Sequence, residues 1–218
     1  MPEMHVASLG HSTIRLTATD LSIVVDPGTM APSSAFQDVD AFLVTHNHAD
    51  HFDASRVAEA LRSDSRLHVW APADASEQLR SESVPANQIT TVTRSVEFAV
   101  GSLQVSALAG EHAPIYPTVP TSANVAYLVD SRILHPGDEY PELPNGTTLD
   151  ALFLPISGPW MRLADALDYV NSTKPRLVIP IHDGDLNDGG RTLTDQVTAS
   201  LLGDREYRRL PSDDSVAL

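Results

Sequence analysis

The chain has 218 residues, 42% of them hydrophobic and 20% charged, the balance of a globular protein rather than a disordered or fibrous one. Fourteen Lys and Arg stand against 29 Asp and Glu, a formal net charge of −15, which disfavours general binding to nucleic acid or to anionic membranes. The sequence holds no Cys, which excludes disulfides, thiolate metal sites and cysteine nucleophiles.

In chain order, MHVASLG, TIRLTA and LSIVVD predict three short strands, separated by Gly10-His11-Ser12 and by Thr19-Asp20. Pro27-Gly28 ends the third strand, and a loop rich in Pro, Ser and Ala covers 28–38. AFLVTH reads as a fully buried strand. Asp53 is placed to cap a helix over 54–63, where Val57, Ala60 and Leu61 share a face. LHVWA predicts a strand, and Ala73 to Ser81 a short helix. QITTV, VEFAV and LQVSAL follow as strands, with Gly101 at the turn between the last two.

Residues 113–122 contain three prolines and read as an ordered loop. NVAYLVD and RILHPGD predict strands around a tight turn at Ser131, and ALFLPI another buried strand. Leu163, Ala166, Leu167 and Val170 give helical spacing over 161–173. RLVIPI is one more buried strand, and a helix over 192–202 ends at Gly203. No linker, repeat or low-complexity stretch divides the chain, so the expectation is one domain over 1–218. Two sheets facing each other with helices outside fit this order, although the pattern alone permits other α+β layouts. No leader pattern and no apolar run of about 18 residues is visible, which predicts a cytoplasmic location.

The strongest chemical signal is Thr45-His46-Asn47-His48-Ala49-Asp50-His51, directly after a buried strand. His46, His48, Asp50 and His51 place four candidate metal ligands within six residues. Imidazole and carboxylate suit zinc and other first-row metals, and the lack of Cys fits a catalytic rather than a closed structural site.

This HxHxDH pattern resembles the signature of the metallo-β-lactamase superfamily. Further pieces of that resemblance occur in order: Asp26 in VVDPG, His112 in Gly110-Glu111-His112, Asp138 in HPGDE and His182 in IPIHDG. Gly10-His11-Ser12-Thr13, LPISGPW and KPRLVIPIHDG are similar to the branch that holds the L-ascorbate-6-phosphate lactonase and related metal-dependent hydrolases. The chain departs from that branch at Glu139, where Thr is usual, and at Trp160, where the branch has Thr before Met. Both departures lie near where a substrate would sit.

The resemblance implies a four-layer αββα sandwich, two mixed sheets with helices on both outer faces. It implies two divalent cations, Zn2+ first and Mn2+ or Fe2+ as alternatives. His46, His48 and His112 would hold one; Asp50, His51 and His182 the other; Asp138 would bridge them, and Asp26 would support the histidine loop. Cations about 3.5–4 Å apart hold a shared water or hydroxide, lower its pKa to about 7 and polarise the oxygen under attack. Asp50 would orient that nucleophile. His11 would donate a hydrogen bond or a proton to the reacting group without being a metal ligand. The function implied is hydrolysis of a small ester, lactone or phosphodiester, with a small-molecule substrate, no nucleic acid and no membrane. A homo-oligomer is compatible with the sequence.

The remaining polar residues read differently. His135, at the end of RILH, is a packed strand residue; His5 and His68 lie in alternating strands. Asp183, Asp185 and Asp188 read as a solvated loop, with orientation of His182 as the alternative. Trp160 is core first and pocket wall second. Two other functions keep a hold on the motif: a mononuclear-iron persulfide dioxygenase, and a metal-binding protein without turnover.

Overall fold

The computed structural model describes residues 3–19, 21–211 and 214–218. The first half of the chain runs β1 (Met4–Ser8), β2 (Ile14–Ala18), β3 (Leu21–Val25), β4 (Ala41–Leu43), α1 (Ala54–Ser63), β5 (His68–Ala71), α2 (Ala73–Ser81) and β6 (Ile89–Thr91). The second half runs β7 (Val96–Val100), β8 (Leu103–Glu111), β9 (Ala123–Val129), β10 (Ile133–His135), β11 (Ala151–Pro155), α3 (Leu163–Thr173), β12 (Leu177–Ile181), α4 (Asp188–Leu201), β13 (Glu206–Tyr207) and β14 (Ser215–Ala217).

Each half builds one seven-stranded mixed sheet, apart from β14, which crosses back to pair with β1. The first sheet has the order β14-β1-β2-β3-β4-β5-β6 and the second β13-β12-β11-β10-β9-β8-β7. Both begin as antiparallel hairpins and continue as parallel strands. Parallel neighbours need a crossover, and the helices supply it: α1 between β4 and β5, α2 between β5 and β6, α3 between β11 and β12.

Alternation along the strands sorts the side chains into layers. Val6, Leu16, Ile23 and Leu43 meet Tyr127, Phe153 and Ile179 between the sheets. Val24, Phe42 and Val44 turn the other way, onto Val57 and Leu61 of α1 and Leu79 of α2. Leu152, Leu154 and Val178 pack outward on Ala166, Tyr169 and Val170 of α3. Strands covered on both faces explain why AFLV, ALFLP and LVIPI are apolar without interruption. The result is the expected αββα sandwich.

Local chemistry fixes the details. Asp53 caps α1 by accepting the Arg56 backbone N–H at 3.1 Å. The turn between β9 and β10 places both Asp130 and Ser131 at positive φ, the geometry that matches hairpin twist. The last helix starts at Asp188, four residues before the expected 192. Asp188-Gly189-Gly190 favours a loop by propensity, but the Asn187 side chain accepts the Gly190 N–H at 2.9 Å and starts the helix there. The edge strands β13 and β14 carry no alternating apolar pattern and were not predicted.

One hydroxyl joins the two sheets. Tyr127 of β9 is fully buried, and its O–H lies 3.0 Å from the carbonyls of both Val44 and Trp70 across the core. Tyr127→Phe leaves the ring packing and removes this donor. The expected loss is about 1–2 kcal/mol of unfolding free energy in a urea titration, since the Val44 carbonyl loses this donor and the Trp70 carbonyl is left with the Val44 N–H alone. An unchanged midpoint would show that the bond contributes nothing.

Candidate metal centre

The seven proposed ligands and Asp26 converge at one edge of the sandwich because five strands end there. Asp26 follows β3, the 46–51 loop follows β4, His112 follows β8, Asp138 follows β10 and His182 follows β12. His11 enters from the turn that leads into β2. Three overlapping sets of donor atoms each lie within 4.8 Å of one another: His46 with His48 and His112; His46 with His51 and Asp138; and Asp50 with His51, His182 and His11.

Asp138 occupies the middle. Its Oδ1 is 3.2 Å from His51 Nε2, and its Oδ2 is 3.3 Å from His112 Nε2 and 3.1 Å from His182 Nε2. His46 Nε2 is 3.9 Å from the same carboxylate. One residue thus touches members of both proposed ligand sets.

Hydrogen bonds behind the rings fix which nitrogen faces inward. Asp26 is completely buried and accepts His51 Nδ1–H at 2.7 Å, which leaves Nε2 toward the centre. It also accepts the Thr45 hydroxyl at 2.7 Å; that oxygen in turn faces His46 Nδ1 at 3.0 Å, so His46 also presents Nε2. The His112 Nδ1–H donates to the Ala113 carbonyl at 2.6 Å, with the same outcome. Such partners orient the ring and raise its basicity toward a metal.

His11 is buried rather than water-facing, which removes the simplest reading of a histidine in a Gly-Ser turn. Its Nδ1 accepts the Gly184 backbone N–H at 2.9 Å. The ring proton therefore sits on Nε2, which donates to Asp50 Oδ2 at 3.0 Å. His11 holds Asp50 while Gly184, two residues past His182, holds His11.

The electrostatics fit a cation. Burial, aided by the neighbouring His51, pushes the His46 pKa well below that of an ordinary imidazole, so the ring is neutral with a lone pair to give. His48 is lowered by burial and by His112. Burial opposes the charges on Asp138 and Asp50, but the surrounding imidazoles outweigh it and hold both carboxyls below their usual range. Burial also opposes charge on His51, yet Asp138 and Asp26 flank it and raise its pKa well above the ordinary value. Asp138 Oδ1 and both ring nitrogens of His182 are buried without a hydrogen-bond partner. Seven convergent N and O donors, some of them orphaned, suit a divalent first-row metal.

The backbone is held in unusual conformations here. His11, Asp26 and His182 all have positive φ, at 49°, 52° and 58°. Non-glycine residues there cost of order 1 kcal/mol each and persist where the surroundings enforce them, often at functional sites. Gly28 is required by contact: a Cβ on it would lie 1.9 Å from the Asp50 carbonyl oxygen.

Other residues divide as follows. His135 is buried and hydrogen-bonded to the Ser12 carbonyl at 2.8 Å, a packed strand residue as expected. Trp160 stands edge-on to His112 at 5.9 Å and to His182 at 6.3 Å, so it walls the site. Burial pushes Glu139 up to about 7, beside Asp138 and against Gly110. The solvated-loop reading fails for Asp183, which is buried between Arg191 and Arg209. Asp185 accepts from Ser157 at 2.7 Å, while Asp188 is exposed. Thr45, Gly184 and Arg209 were not singled out from the sequence, because their roles are contacts across the fold.

The β-lactamase superfamily domain profile matches residues 5–182, a span that contains every residue of the cluster. The chain belongs to the β-lactamase superfamily. It is 30% identical over 187 residues to protein Rv0786c of Mycobacterium tuberculosis, covering 82% of the chain and 84% of that relative. It is 33% identical over 192 residues to the UPF0173 metal-dependent hydrolase TTHA1283 of Thermus thermophilus, covering 82% and 83%. The metallo-β-lactamase fold protein YhfI of Bacillus subtilis superposes with a TM-score of 0.77 at 15% identity, over 100% of both chains. The metallo hydrolase Igni18 of Ignicoccus hospitalis gives 0.74 at 17%, over 99% and 98%. At these identities the structures speak for the superfamily fold.

The raised pKa of His51 has a measurable consequence. Without metal, the ring carries a proton at neutral pH, and a metal taking Nε2 must expel it. Calorimetry of metal loading at pH 7 in buffers of different ionisation enthalpy should show release of about one proton per chain. Affinity should weaken as pH falls, because protons compete for the same nitrogen. Heat independent of the buffer would contradict a protonated His51.

Proposed function

We propose that the chain is a metal-dependent hydrolase with a dinuclear centre, cleaving a small ester, lactone or phosphodiester. The observation that carries this reading is the position of Asp138, within 3.1–3.3 Å of His51, His112 and His182 at once. His46, His48 and His112 would hold one cation, Asp50, His51 and His182 the other, with Asp138 shared. Zn2+ is the first candidate and Mn2+ or Fe2+ the next. The Thermus relative's description as a metal-dependent hydrolase and the complete donor set support the same reading.

Bound divalent cations supply an activated water at neutral pH and polarise the oxygen of the scissile bond. The chain's own residues arrange the rest. Asp50, held as a carboxylate by His11 and His51, can accept a hydrogen bond from the attacking water and orient it. His11 keeps its proton on Nε2, at the edge of the cluster, where a shift from Asp50 to a leaving oxygen would let it donate. Trp160 excludes water from the side of His112 and His182.

Two variants test this. Metal analysis of protein purified without added metal should give up to two ions per chain, and Asp138→Ala should lower occupancy and turnover together. Full dinuclear occupancy in that variant would remove the bridging role. His11→Ala should keep the metal content and cut turnover of a generic ester or phosphodiester by about 10²-fold. Loss of metal in His11→Ala would instead make His11 a ligand.

A further inference from the structure

Eight large hydrophobic side chains stand exposed among the described residues, and half of them ride on two loops that leave the histidine cluster. Met30 is 51% exposed; its sulfur lies where a side chain on Gly184 would begin, beside the His11 ring. Ile115, Tyr116 and Val119 are 38%, 64% and 43% exposed on the loop that follows His112. That loop is anchored at the site. The His112 N–H bonds the Ser122 carbonyl at 2.9 Å, and the Ala113 N–H bonds the Asp138 carbonyl at 2.8 Å. Trp160 belongs to a third loop at the same edge.

The charge pattern agrees. Charged residues make up 20% of the chain, yet 27–36, 113–122 and 156–161 contain none. These are the loops that carry Met30, Ile115 with Tyr116, and Trp160. Exposed apolar side chains gathered on loops that leave one site mark a binding surface, and their position names the occupant. The group nearest these loops during hydrolysis is the part of the substrate joined to the scissile bond.

We propose that this rim seats an uncharged acyl or aryl group, so that the site takes esters or lactones with an apolar tail in preference to substrates bearing a phosphate tail. The proposal rests on the hydrolase reading and narrows it. A tail lying across the rim is covered on one side only. Each methylene should therefore raise kcat/KM about twofold, roughly half the effect, on a free-energy scale, of a fully buried one.

The test uses metal-loaded protein with p-nitrophenyl acetate, butyrate and hexanoate. The expected result is a rise in kcat/KM of about 16-fold from acetate to hexanoate, which adds four methylenes. In Ile115→Ser/Tyr116→Ser, and separately in Met30→Gln, that ratio should fall at least threefold. These side chains are exposed, so melting temperatures should stay close to wild type. A flat series in the wild type, or an unaltered ratio in both variants, would overturn the proposal. Silence with metal bound toward every ester, and also toward a lactone and bis(p-nitrophenyl) phosphate, would remove the hydrolase reading alone, and the neutral dye N-phenyl-1-naphthylamine then decides the rim. Saturable fluorescence enhancement that the variants lose supports the apolar rim; no enhancement, or enhancement they retain, overturns it. Capture of the wild type but not the variants by phosphatidylcholine vesicles, without a chain-length trend, would assign the patch to a lipid surface and also overturn it.

Discussion

The site depends on one buried carboxylate that faces no solvent at all. Asp26 accepts three hydrogen bonds of 2.7 Å, from the Thr45 N–H, the Thr45 hydroxyl and His51 Nδ1. Its own carbonyl accepts the Thr13 hydroxyl at 2.6 Å, and its N–H donates to Leu43 at 2.9 Å. A charge this deep is tolerated because charge-assisted hydrogen bonds replace its hydration. The same bonds clamp the ends of β3 and β4 and the turn before β2 together. They also decide the inward nitrogen of His51 directly and of His46 through Thr45. Two proposed ligands therefore inherit their orientation from a residue outside the proposed ligand set.

The other proposed ligands do not lean on Asp26: the Ala113 carbonyl orients His112, and His11 holds Asp50. Neutral imidazoles packed this closely, His46 with His48 and His112, gain little from one another and oppose each other's protonation. Asp138 lies among them with an unpartnered oxygen. A proton shared around His51 offsets the carboxylates in the metal-free protein, and a divalent cation offsets them better while using the lone pairs. Folding thus delivers an arrangement whose electrostatic deficit is the specification for its ligand.

The HxHxDH candidates were legible because spacing alone places them: two residues apart on extended chain, then at the turn into a helix. Asp26, His112, Asp138 and His182 were legible only through resemblance, since they lie on separate loops that the topology unites. The strands were readable from continuous apolar runs, which two-sided burial dictates. Asp183 was not, because Arg209, its partner, lies 26 residues downstream on the segment between β13 and β14. Neither short edge strand has a pattern to read. The start of α4 was missed because one Asn cap outweighs two helix-averse glycines. His11 was read as a substrate-side candidate, but the direction of its ring depends on the Gly184 amide, 173 residues away.

The chain's −15 charge and its uncharged loops act on different scales. Long-range repulsion lowers the local concentration of anions around the whole molecule, weakening with salt. Close to the centre, bound cations would reverse that field over a few ångströms and attract the electron-rich oxygen of a scissile bond. A neutral substrate with an apolar tail meets no barrier at distance, gains from the rim on arrival and presents its polar bond to the cations. A dianionic phosphate would be repelled on approach and, once inside, would compete for the metals with whatever part of it was to be cleaved. On the hydrolase reading, the surface charge and the loop composition therefore select in the same direction.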